Sequence, residues 1–191
     1  MGTCKPLLPF GDKTVIENCI DYLTAGGVQT IVVVLGHQAA ELKTSLKDRQ
    51  VQFALNPNPK SEMSESIACG VRKLRGDSRV TFITPADYPA VPAEVVVELL
   101  DHWRTGAAKL LLPEYQGRGG HPVLVDLSFR DELLHLEPER GLRSLFDAHR
   151  GQVRRVPVKS PFVARDIDTW DDYRSLYREV IGREPPELSW S

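Results

Sequence analysis

Cysteine is scarce in this chain. Its 191 residues include only Cys4, Cys19 and Cys69, odd in number, far apart and without a C-x-x-C pair. That pattern excludes a disulfide framework and a cysteine-rich zinc site. Long apolar runs are absent too, and none approaches the ~18 residues that would span a bilayer. Lys5, Pro6 and Pro9 interrupt the N-terminus before a signal-peptide core could form. Nor does one sign of charge dominate: 24 Lys and Arg against 26 Asp and Glu leave −2. A near-neutral chain gives no support for nucleic-acid or membrane-surface partners. Missing motifs narrow the chemistry further. The chain has no complete G-x-x-x-x-G-K-[ST], no G-x-G-x-x-G after a strand, no G-x-S-x-G and no H-x-x-x-H pair. P-loop phosphate binding, a standard dinucleotide fold, α/β-hydrolase chemistry and a histidine-based zinc site are therefore all disfavoured. A single cytoplasmic domain over residues 1–184, followed by an irregular tail at 185–191, is the expectation.

What is present alternates between two periodicities. Thr14 and Glu17 form a T-x-x-E capping box, after which Val15, Ile16, Cys19, Ile20 and Leu23 recur at helical spacing up to Gly26-Gly27. Residues 30–35 read T-I-V-V-V-L, the continuous β-branched run of a strand covered on both faces. Further short strands are expected at 51–55, 80–84, 108–112, 122–125 and 153–158. Helices are expected at about 38–47, 64–74, 130–136, 142–149 and 169–181, with one more after Pro92 carrying Val95, Val96, Leu99, Leu100 and Trp103. Alternation of this kind predicts an α/β fold with a largely parallel sheet. Ligands of such sheets bind beyond the carboxyl ends of the strands.

Four segments there could carry chemistry. In M-G-T-C-K-P-L-L-P-F-G, residues 1–11, Lys5 could place a point charge on phosphate or be an exposed terminal lysine. Asp87, just past the 80–84 strand, suits Mg²⁺ or a turn cap. In G-R-G-G-H-P-V-L-V, residues 117–125, the glycines permit close backbone approach to a ligand, or simply turn a hairpin. In D-I-D-T-W-D-D-Y, residues 166–173, Asp166 and Asp168 share a side if the run is extended, while Thr169 and Asp172 form a second capping box.

Taken in order, these segments resemble the MobA-like nucleotidyltransferases, and within them the molybdenum cofactor cytidylyltransferases. M-G-T-C-K-P-L-L-P is similar to the second half of that family's opening signature. N-P-N-P-K-S-E-M-S-E-S at 56–66, A-D-Y-P at 86–89, G-H-P-V-L at 120–124 and D-I-D-T-W-D-D-Y follow the family's later motifs across nearly the whole chain. G-H-P-V-L is more like the cytidylyltransferase branch. Three departures stand out. The family's first strand and most of its Gly-rich loop are missing before Met1, as from a misplaced start or a shortened polypeptide. Ala86 stands where the family has Gly, and Trp170 where it has Pro.

The resemblance implies a Rossmann-like three-layer nucleotidyltransferase fold of the nucleotide-diphospho-sugar transferase type. It implies Mg²⁺-dependent transfer of CMP from CTP to a molybdopterin-type cofactor with release of pyrophosphate, and a molybdenum oxidoreductase as a downstream partner. By the same resemblance Asp87, with Asp168 or Asp166, holds the metal, and Lys5 and Asp87 are catalytic. Gly2, Lys5, Ser64 and Ser66 bind the nucleotide. Gly120, His121 and Pro122 line the acceptor side. Two alternatives stay open: another phosphorylated acceptor such as a sugar phosphate, or a non-catalytic accessory protein that holds the cofactor.

Overall fold

A computed structural model describes residues 4–36, 39–58 and 62–187. Its elements run in order: β1 (Pro9–Phe10), β2 (Lys13–Thr14), α1 (Val15–Ala25), β3 (Val32–Leu35), α2 (Ala39–Ser45), β4 (Gln52–Leu55), α3 (Met63–Lys73), β5 (Val80–Ile83) and α4 (Ala93–Arg104). Then follow β6 (Leu110–Tyr115), β7 (Arg118–Gly119), β8 (Val123–Asp126), α5 (Arg130–Leu134), α6 (Leu142–Ala148), β9 (Val153–Pro157) and α7 (Trp170–Ile181).

The largest sheet has the order β5-β8-β6-β7, with β9 on the other edge of β6. Registers fix the directions. β8 lies antiparallel to both β5 and β6, and β9 lies parallel to β6. Thus β5, β6 and β9 run one way and β8 runs against them. β3 and β4 form a separate parallel pair, Val32 opposite Gln52. Among the described residues β3 pairs only with β4, and β5 only with β8. This is why Val32, Val33 and Val34 are half-buried and only Leu35 is fully covered, although the sequence reads as a strand covered throughout.

The period of two in the strands sorts side chains between two helix layers. Leu111, Leu124 and Val156 face α1 and α4, meeting Cys19, Tyr22, Val95, Val96 and Leu99. Leu110, Val123 and Val125 face the other way, against Ile67 and Val71 of α3, Leu133 of α5 and Leu145 of α6. Leu110, Leu111 and Leu124 are wholly buried, and each such side chain stabilises the fold by about 1.5–3 kcal/mol. The result is the three-layer arrangement expected from the sequence. A third cluster packs α7, through Tyr173, Leu176 and Tyr177, onto Leu8, Phe10 and Ile167. A fourth sets Ile16, Ile20 and Leu35 against Leu42 and Leu46, with Cys4 and Ala86 alongside.

Both capping boxes form. Thr14 accepts from the Glu17 amide at the start of α1, and Thr169 from the Asp172 amide at the start of α7. Each satisfies amides that a helix start leaves without intrahelical partners, and each is worth about 1 kcal/mol. Gly27, at φ +94, follows the last turn of α1, in a left-handed backbone that a side chain would strain. Pro92 stands at the N-cap of α4, one position ahead of its expected place in the first turn. The glycine-rich run after β6 turns a hairpin, with Tyr115 opposite Arg118.

Candidate functional site

The acidic centre is built from two loops that a backbone bond holds together. Asp87 follows β5. Asp166 and Asp168 follow a 3-10 turn at Pro161–Ala164. Between them Ile167 donates its amide to the Asp87 carbonyl at 3.1 Å, and its side chain is wholly buried among Leu8, Phe10 and Tyr173. Burying Ile167 in an extended stretch turns its two neighbours to the opposite side. One carboxylate oxygen from each of Asp87, Asp166 and Asp168 then lies within 4.8 Å of the others.

Lys5 completes the group. Its Nζ is 3.0 Å from Asp168 Oδ1, with the lysine side chain 30% exposed and the aspartate 68%. The backbone beneath it is fixed by a 3-10 turn, Lys5–Leu7, that leads into the fully buried Leu8. Asp87 Oδ1 is buried and has no hydrogen-bond partner. Burial, reinforced by Asp166, pushes the Asp87 carboxyl above its ordinary range, and Lys5 acts against that shift. Negative charge beside a buried carboxyl raises its pKa, and a nearby cation works the other way. Hard oxygen donors, one of them buried and unpartnered, fit a divalent ion such as Mg²⁺ or Mn²⁺.

Under the acids lies α1. Cys19 and Tyr22 are buried there, and the Tyr22 hydroxyl is 3.3 Å from Thr84 Oγ1 at the end of β5. Burial pushes the Cys19 thiol up to about 12, so this cysteine is an inert neutral spacer. Beside the acids, the Tyr88 ring lies 5.0 Å from that of His121. Burial, then Asp166 and Asp87, raise the Tyr88 phenol to about 12. Burial also lowers the His121 pKa, against a hydrogen bond to the Ile83 backbone, so the ring is neutral at pH 7. Its Nδ1 is buried without a partner.

His121 is held by its neighbours in sequence. Its amide donates to the Val163 carbonyl at 2.8 Å, and that of Gly120 to Pro113 at 2.9 Å. At Gly120 a side chain would run into the Val163 carbonyl, so the close approach requires glycine. The His121–Pro122 bond is cis. Val163 sits in the turn that leads to Asp166, so the G-H-P segment and the acidic loop form one packed unit.

The other expected residues are farther along the same edge. Ser64 is buried in the first turn of α3. Ser66 accepts from Asn56 Nδ2 at 3.0 Å, and the Asn56 amide donates to Leu35 at the end of β3. The Ser66 hydroxyl therefore ties α3 to the carboxyl end of β4. Gly2 lies outside the described residues. Tyr88 and Asn56 carry no assignment in the sequence reading. The only signals for them were a place inside the A-D-Y-P motif and one in the N-P-N-P loop. A cavity of about 240 Å³ lined by Arg79, Trp103, Lys109 and Asp126 opens at the other end of β5 and contains none of these residues.

With this geometry, residues 1–153 match the MobA-like NTP transferase domain. The chain belongs to the MobA-like NTP transferase family. Its fold is that of the nucleotidyltransferases. It is similar to a solved homologue of Rv0371c from Mycobacterium sp. strain JC1, at 27% identity and a TM-score of 0.83 over 95% of this chain and 90% of that one. Rv0371c of Mycobacterium tuberculosis, solved in complex with manganese, gives 24% identity and a TM-score of 0.80 over 93% of each chain. Molybdopterin-guanine dinucleotide biosynthesis protein A from Archaeoglobus fulgidus gives 20% and 0.66 over 95% and 92%. Among curated proteins, the nicotine blue oxidoreductase of Paenarthrobacter nicotinovorans is 23% identical over 90% of this chain and 87% of its own length. No helix among the described residues is long and apolar enough to cross a membrane.

Proposed function

We propose that this family member transfers CMP from CTP to the terminal phosphate of a molybdopterin-type cofactor and releases pyrophosphate. The observation that carries the reading is the convergence of Asp87, Asp166 and Asp168, with Asp87 Oδ1 buried and unpartnered. A manganese complex of a protein with the same fold is consistent with a divalent ion there. The cytosine base rests on the likeness of the G-H-P-V-L segment to the cytidylyltransferase branch, and the acceptor class on that segment together with the fold shared with the molybdopterin-guanine dinucleotide protein.

The chemistry is in-line displacement. An acceptor phosphate oxygen forms a bond to the α-phosphorus as the bond from that phosphorus to the β-bridging oxygen breaks, and the electron pair leaves on pyrophosphate. The acceptor is already ionised, so no strong base is needed, and catalysis rests on alignment and charge neutralisation. Asp87, with Asp168 or Asp166, would hold Mg²⁺, which when bound neutralises charge on the triphosphate oxygens. Lys5 is the point charge for the triphosphate and the leaving pyrophosphate. By the family resemblance Ser64 and Ser66, with Gly2, would bind the nucleotide. Gly120, His121 and Pro122 would line the acceptor side, where a neutral, half-buried His121 would orient by shape and hydrogen bonding. A molybdenum oxidoreductase would receive the product.

The test is product analysis with CTP, GTP or ATP, Mg²⁺ and molybdopterin. Pyrophosphate and a cytosine dinucleotide in equal amounts, with the rate falling by about 10²–10³ in Asp87→Asn, are expected. Equal rates in that variant would overturn the assignment. A sugar nucleotide formed from a sugar phosphate instead would move the acceptor. Cofactor bound without pyrophosphate release would make the chain an accessory protein. The near full-length likeness to nicotine blue oxidoreductase supports one further arm, an assay for oxidoreduction of nicotine blue, which should give no turnover.

A further inference from the structure

We infer that Lys5 occupies the acidic cluster as a stand-in cation, that a divalent ion and the ammonium compete for Asp168, and that a polyphosphate resolves the competition by drawing Lys5 away. The inference rests on the proposed metal site and adds a coupling between its two ligands.

Three carboxylates whose oxygens lie within 4.8 Å of one another repel when ionised. The ammonium 3.0 Å from Asp168 Oδ1 offsets part of that repulsion. Among the described residues Asp168 is the only ion-pair partner of Lys5. The lysine backbone is pinned by the Leu8 amide, which donates to the Lys5 carbonyl at 3.1 Å. The side chain is a compact charge on a four-carbon stem, 30% exposed, and its partner is 68% exposed. A fixed root whose tip is held by one solvent-facing ion pair is suited to exchanging one anion for another.

A divalent ion held by Asp87, Asp166 and Asp168 would share Asp168 with this ammonium and be repelled by it. Metal alone must therefore displace Lys5 into water. When phosphate oxygens are present, the ammonium has a new partner beside the cluster, and Asp168 is released to the metal. Metal and polyphosphate then bind with positive coupling, and by linkage each raises the affinity of the other by the same factor.

The experiment titrates Mn²⁺ into the full chain, following free Mn²⁺ by electron paramagnetic resonance, for wild type, Lys5→Met, Lys5→Gln, Asp168→Asn and Lys5→Met/Asp168→Asn. Both Lys5 variants should bind Mn²⁺ alone about tenfold more tightly than wild type, a coupling of ordinary allosteric size. In the Asp168→Asn background the same substitution should change affinity by less than about twofold, because the partner is gone. Saturating pyrophosphate should raise Mn²⁺ affinity more in wild type than in Lys5→Met. Unchanged or weaker Mn²⁺ binding in the Lys5 variants would overturn the inference. So would a gain of equal size in the Asp168→Asn background, which would mark a general charge effect. Asp87→Asn separates the two levels. If it binds Mn²⁺ as wild type does, the metal site itself is refuted. If it loses Mn²⁺ while the Lys5 variants gain nothing, the site stands and only the competition fails.

Discussion

Gly120→Ala is a small change in a place with no room for it. The added methyl would lie 3.0 Å from Val163 Cβ and well inside contact with the Val163 carbonyl. The obstacle is backbone, and Val163 is wholly buried in the core between α4 and the sheet. Neither partner has a flexible end that could swing aside. Clearing the clash requires the 161–164 turn to withdraw by about 1 Å, at the 1–3 kcal/mol typical of overpacking. That withdrawal would break or lengthen the 2.8 Å bond from the His121 amide to Val163 and carry Asp166 and Asp168 away from Asp87. Displacements of this size cost up to about 10² in rate when they misalign reacting groups. Urea unfolding should show a midpoint lower by about 1 M, at a slope of about 2 kcal/mol/M, and Mn²⁺ affinity should fall as well. Gly151→Ala, whose methyl would meet nothing within 4 Å, is the control and should change stability by less than about 0.5 kcal/mol. A Gly120→Ala protein with wild-type stability and metal affinity would refute the packing of the G-H-P segment against the acidic loop.

Other substitutions test the frame around the site. Thr169→Ala removes the cap at the start of α7 and should cost about 1 kcal/mol in urea unfolding; no loss would mean that the capping box does not hold this helix. Tyr173→Phe removes the 2.7 Å bond from a buried phenol to the Pro9 carbonyl. It should destabilise by about 1–3 kcal/mol, since the carbonyl is left without its partner, and a neutral result would count against docking of α7 on the N-terminal hairpin. Stability should also fall in alkali. Burial raises Cys19 from 9.0 to about 12 and, with Tyr177 adding to it, Tyr173 from 10.0 to about 12. Groups with raised folded pKa values contribute fully below their unfolded values and lose that contribution as pH rises toward the folded ones. Unfolding midpoints should therefore be level from about pH 7 to pH 9.0 and decline above it, and a flat profile to about pH 12 would refute the burial of these groups.

Local chemistry was the most legible part of the sequence. Both capping boxes were readable because T-x-x-E and T-x-x-D place their partners within one turn. The pairing of Asp166 with Asp168 was readable from strand alternation. What brings them to Asp87 is the bond from the Ile167 amide to the Asp87 carbonyl, across 80 residues of chain, and no local pattern encodes it. The same holds for strand direction. The run at 122–125 was evidently a strand, but its antiparallel seat between β5 and β6 depends on pairings with residues far away in sequence. Of the two alternatives for the glycine-rich run, Arg118 and Gly119 make the hairpin, while the close approach at Gly120 is to the backbone of Val163 and not to a ligand. Tyr88 was hidden because its role beside His121 depends on a ring that arrives from another strand.

Calorimetric titration of CTP into the full chain, with and without Mg²⁺, and into Asp87→Asn, tests the acidic cluster most directly. Magnesium-dependent CTP binding that is lost in Asp87→Asn is the predicted result. Binding that ignores magnesium, binding that survives unchanged in the variant, or no nucleotide binding at all would contradict placing the metal and the triphosphate on Asp87, Asp166, Asp168 and Lys5.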